Sequence, residues 1–173
     1  MSTGLLIARL ILGLGIAAHG SQKLFGWFGG YGPAGTGGFF ESKLGFRPGV
    51  MMAVAAGCGE FFGGLLIAFG FLGGLGPAIV LIVMLTAIFS VHIRNGFFVD
   101  KQGWELPAMY IAGALALDFG GYGAYSLDQA LGLNILSTIH LRWILIAAAI
   151  VLAAISLLLR RSQPQPASGS AAS

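Results

Sequence analysis

The sequence predicts an all-α integral membrane protein with five hydrophobic spans. Three observations predict it. The chain is 57% hydrophobic and only 9% charged, with a mean hydropathy of +0.88, values far outside a soluble domain. Its apolar runs are long enough to cross a hydrocarbon core of ~30 Å at ~1.5 Å per residue. Its 29 glycines read as tight helix packing in a membrane, where small residues let backbones approach closely. One membrane domain is the natural count.

The first span runs from about Gly4 to Leu24. No Lys or Arg precedes it, and its first positive charge, Arg9, lies inside it. A cleaved signal peptide carries its charge ahead of the apolar region, so this reads as an uncleaved span. Residues 25–46, FGWFGGYGPAGTGGFFESKLGF, read as a flexible interfacial loop, with Trp27, Phe28 and Tyr31 at headgroup level. The glycines there make no phosphate loop, since there is no G-K-[ST] ending and no preceding strand. Arg47-Pro48 opens the second span, about 48–70, and proline is well tolerated in a first helical turn. Gly73, Gly74 and Gly76 form a short turn. The third span extends from about Leu75 or Pro77 to Ile93.

Residues Arg94–Gly103 make a polar loop. The fourth apolar stretch, Trp104–Phe119, is short for a span, with Pro107 in its first turn. Ser126 and Gln129 have capping-box spacing and predict a short surface helix after Ser126. The fifth stretch, about Leu141–Leu159, is stopped by Arg160 and Arg161, and SQPQPASGSAAS reads as a disordered tail. The organisation is a membrane bundle at 1–140, a further transmembrane helix at 141–160 and a tail at 161–173.

Charge sets the expected orientation. With five spans, Lys23, Lys43, Arg47, Arg94, Lys101, Arg160 and Arg161 fall on one side and Arg9 and Arg142 on the other. Positive charge favours the cytoplasm, so the N-terminus is expected outside and the C-terminus inside. The net charge of +3 is spread out and has no basic run, which argues against nucleic acid as a partner. The single cysteine, Cys58, excludes a dithiol redox pair within the chain.

Ionisable residues at membrane depth are costly and mark sites. His19 and Lys23 are four apart and share a helix face. Glu60 falls near mid-membrane, ~18 Å along the second span, where a carboxylate must be protonated or paired. His92 ends the third span, with Asn95 just beyond, and Glu105 starts the fourth. These five ionisable residues as catalytic groups, with Phe61 and Asn95 as cofactor-binding residues, form the candidate site. Each also has a structural reading: Lys23 snorkelling to headgroups, Glu105 capping a helix start, His92 bonding another helix, and Phe61, Phe62, Phe97 and Phe98 packing in a core. Trp104, Tyr110, Tyr122 and Tyr125 read as interface anchors. Arg9 and Asp118, both toward the outer face, are expected to pair structurally. Histidine and a desolvated glutamate both suit proton transfer, which a quinone headgroup requires. His19, His92, Glu60 and Glu105 are also possible N/O metal ligands, but no E-x-x-H motif supports that, and two histidines alone do not establish a haem; neither group is expected.

The motifs L-I-A-R-L-I-L-G (6–13), H-G-S-Q-K-L-F-G-W-F-G-G (19–30), G-E-F-F-G-G-L-L (59–66), V-H-I-R-N-G-F-F (91–98), E-L-P (105–107) and Y-S-L-D (125–128) resemble the DoxX family of small bacterial membrane proteins. The resemblance implies a four-helix transmembrane bundle, to which the stretch 141–159 is an additional C-terminal helix. It also implies the bacterial plasma (inner) membrane and a link to quinone-dependent oxidoreductase systems, with Arg9, His19, Lys23, Glu60, His92 and Glu105 at the family's polar positions. The leading expectation is a membrane component of such a system. It would bind quinone in the inner half of the bundle, with Glu60 and His19 handling protons and His92 and Glu105 orienting the headgroup. A soluble or membrane redox partner would supply electrons. The alternatives are a proton-coupled permease and a non-catalytic assembly protein. Oligomeric state is not legible.

Overall fold

The computed structural model describes residues 2–134 and 136–161. The expected tail lies, apart from Arg161, outside the described residues. The protein is an all-α membrane protein. Its α-helices are α1 (Ser2–Leu24), α2 (Gly32–Phe39), α3 (Gly49–Phe69), α4 (Leu75–Ala87), α5 (Glu105–Gly120), α6 (Leu127–Leu131) and α7 (Ile139–Leu158). Beyond α4 the chain stays helical through a π turn, Ile88–His92, and a 3₁₀ turn, Ile93–Asn95. Four helices, Ser2–Leu24, Gly49–Phe69, Leu75–Asn95 and Ile139–Leu158, are long and apolar enough to cross a membrane. Helix α5, with 16 residues, is shorter, but it runs back beside α4 from the Gly96 end, where Trp104 N–H donates to the Gly96 carbonyl, to the Gly74 end, where Asp118 sits.

The frame is the antiparallel pair α1–α3. Gly13 of α1 faces Gly64 and Ala68 of α3, and Gly20 faces Gly57 and Phe61, so closely that a Cβ at Gly13 or Gly20 would stand within about 2.5 Å of the opposite backbone. The expectation of glycine-mediated packing is met on this face. Close approach replaces the hydrophobic drive that lipid cannot supply. Helices α4 and α5 pack on the pair around Ile16, Ile67, Val80, Met84, Ala114 and Leu117, and α7 covers α4 through Ala78, Leu81 and Ala149.

The segment read as a flexible interfacial loop is instead ordered by α2 and a π turn, Phe40–Leu44. Pro33 starts α2 and Gly37 lies flush on Val50 of α3, so packing makes a helix that propensity alone would not. The expected cap at Ser126 is present: its Oγ accepts from Gln129 N–H at 3.2 Å, opening α6. Ser2 lies against Gly123, whereas Arg161 N–H donates to the Gly45 carbonyl at 2.9 Å. Residues 2 and 161 therefore lie at opposite ends of the bundle.

Candidate functional site

A cavity of about 620 Å³ opens in the half of the bundle nearer Gly45, among α1, α3, α4 and α5. Most of its wall is apolar, including Phe40, Phe46, Met52, Val83 and Met84. Its polar wall carries His19, Gln22, Lys23, Glu60, His92 and Tyr110. The turn of α1 that places His19 and Lys23 on one face points both inward, because Gly20 between them is pressed onto α3.

Glu60 lies mid-way along α3 and is 4% exposed. Its carboxylate accepts from the Lys23 ammonium. Of the two readings of Lys23, the structure shows this inward pairing. A buried carboxylate with a cationic hydrogen-bond partner avoids most of the cost of an isolated charge. His19 Nδ1 lies 3.2 Å from Gln22 Oε1, and Gln22 Nε2 donates to the Phe28 carbonyl at 3.2 Å. The ring of Tyr110 meets that of His19 edge-to-face, with centroids 5.8 Å apart.

The other expected residues divide. His92 lines the cavity, but its Nδ1 donates to the Gln102 carbonyl at 2.6 Å, and Asn95 Nδ2 donates to the same oxygen at 3.2 Å. Glu105 accepts from Val99 N–H at 2.9 Å. These three side chains pin the loop 96–103, whose Val99, Gln102 and Gly103 close one side of the cavity. Asn95 and Glu105 themselves lie outside its lining, as does Phe61, which packs edge-on against Phe25 and Phe62 where Gly20 draws α1 onto α3. Ser90, Val91 and His92, in the π turn at 88–92, lie on the cavity wall; such insertions recur at functional sites. Among the described residues no three His, Cys, Asp or Glu side chains group as a metal site requires.

Tyr110, expected as an interface anchor, is a cavity residue. Its signal was depth, since it lies five residues inside α5 and not at its end. Tyr122 is also no anchor: it is 8% exposed, its hydroxyl donates to the Gly73 carbonyl at 2.9 Å, and burial raises its phenol well above the usual range.

The far end of the bundle holds the second group. Arg9 and Asp118, each 2% exposed, do not pair with each other as expected. Arg9 donates to the Tyr125 carbonyl, and Asp118 faces Arg142 of α7 at 3.4 Å. The arrival of α7 beside α4 brings in the nearer cation.

The DoxX family model matches residues 4–93. The chain belongs to the DoxX family. The matched segment holds His19, Lys23, Glu60 and His92, whereas Tyr110 and the loop pinned by Glu105 come from beyond it, so the cavity of this DoxX protein is walled by matched and unmatched helices together. No curated protein and no solved structure matches the chain.

Proposed function

We propose that this DoxX protein is a membrane component of a quinone-linked oxidoreductase system and binds a quinone headgroup in the cavity. One observation carries the reading. A polar wall, His19 beside the Lys23–Glu60 pair, faces a mostly apolar space of about 620 Å³, a size and polarity suited to an aromatic dione with part of its tail. The pair and the imidazole supply groups able to hold and pass protons at membrane depth. Electrons come from a soluble or membrane redox partner. The location proposed is the bacterial plasma membrane. The Gly45 end faces the cytoplasm, because seven of the nine Lys and Arg residues fall toward that side.

The test is titration of the purified protein in lipid nanodiscs with decyl-ubiquinone, followed by quinone reduction in membranes. Saturable binding by the wild type, weakened in Glu60→Gln, is the expected result. No binding by the wild type, or rates and binding in Glu60→Gln equal to the wild type, would overturn the reading.

A further inference from the structure

Within the cavity the charged groups already serve each other, since Lys23 donates to Glu60. The polar groups left over include Gln22, His19 and Tyr110. Gln22 spends its amide N–H on the Phe28 carbonyl, so its Oε1 is the acceptor and His19 Nδ1 the donor. In the neutral ring this leaves His19 Nε2 as a hydrogen-bond acceptor. The Tyr110 hydroxyl makes no hydrogen bond to any described residue. It passes over Gly15, where a Cβ would stand 3.5 Å away, and the His19 and Tyr110 rings are held together edge-to-face. The result is one donor and one acceptor, from α5 and α1, carried on two rings in contact on the wall of a mostly apolar cavity.

Resting on the quinone reading above, we propose that Tyr110 is a headgroup-binding residue working with His19: its O–H donates to a quinone carbonyl oxygen, and His19 Nε2 accepts from the O–H of the quinol. A hydroxyl and an imidazole nitrogen on two rings in contact thus meet both oxidation states without any charged side chain leaving its partner. A purely apolar wall could not do this, because a buried carbonyl or hydroxyl without a partner loses affinity. Since Tyr110 lies beyond the matched segment, this contact is supplied by the part of the chain outside it.

The experiment is difference infrared spectroscopy of carbonyl-labelled decyl-ubiquinone on the intact protein in nanodiscs, with binding titrations alongside. The wild type is expected to show a carbonyl band lowered from its position in lipid. Tyr110→Phe keeps the ring contact and is expected to return that band to its lipid position and weaken binding about tenfold. 3-Fluorotyrosine at position 110, a stronger donor of nearly the same shape, is expected to lower the band further. His19→Ala is expected to weaken the quinol more than the quinone. A Tyr110→Phe variant that binds with wild-type affinity and an unmoved band overturns the assignment while leaving quinone binding intact; a wild type that binds no quinone overturns the underlying reading instead.

Discussion

The two ends of this bundle bury charge in different ways. At the end near Ser2, Arg9, Asp118, Arg142 and Asp128 are spent on the chain itself. Arg9 donates to the Tyr125 carbonyl, Asp128 accepts from Leu72 and Gly73 N–H at 2.9 and 2.8 Å, and Asp118 faces Arg142. Asp128 ties the α3–α4 turn to the segment after α5, Arg9 ties α1 to that segment, and Asp118 with Arg142 ties α5 to α7. At the other end, Lys23 and Glu60 are spent on each other, and His19 and Tyr110 face open space. A buried charge alone therefore does not mark a site. What sets the other end apart is buried polarity beside a cavity.

Substitutions that act differently at the two ends test that contrast. The largest effect is expected from Asp118→Ala, which strands Arg142 with no carboxylate partner; the loss is about 3 kcal/mol, read from unfolding in mixed micelles, with quinone affinity of the folded fraction unchanged. A change in affinity as large as the change in stability would erase the distinction. A smaller effect is expected at the cavity end. Glu60→Gln and Lys23→Met combined in a double-mutant cycle should show a coupling of about 1–2 kcal/mol, because the Lys23 side chain is 23% exposed and retains partial hydration. A coupling near zero would mean the pair is not an interacting unit. The smallest effect on global stability is expected from His92→Ala, under about 1 kcal/mol. Hydrogen exchange at 97–103 should nonetheless rise, since the Gln102 carbonyl loses one of its two donors. Unchanged exchange there would show that His92 does not pin the loop.

Much of the architecture was legible because it depends on composition along one dimension. The five apolar runs became α1, α3, α4, α5 and α7 close to their expected ends, and Ser126 capped its short helix. Helix α2 was hidden: GPAGTGGF has poor helix propensity and is held by Gly37 seated on Val50. Among the site residues, the i, i+4 spacing of His19 and Lys23 put both on the cavity. Asn95 and Glu105 were at the right depth yet turned to the loop 96–103, and Phe61 turned to Phe25 and Phe62.

By itself the sequence determined an α-helical membrane protein, which residues lie in its spans and how deep each falls, because hydropathy and a rise of ~1.5 Å per residue set depth. Only the tertiary structure decided rotation about each helix axis, and hence partners. The glycine faces of α1 and α3 fix where Lys23 meets Glu60. The docking of α7 gives Asp118 to Arg142, and the packing of the α4 end leaves His92 on the wall. These outcomes depend on contacts between helices far apart in the chain, which no local pattern encodes.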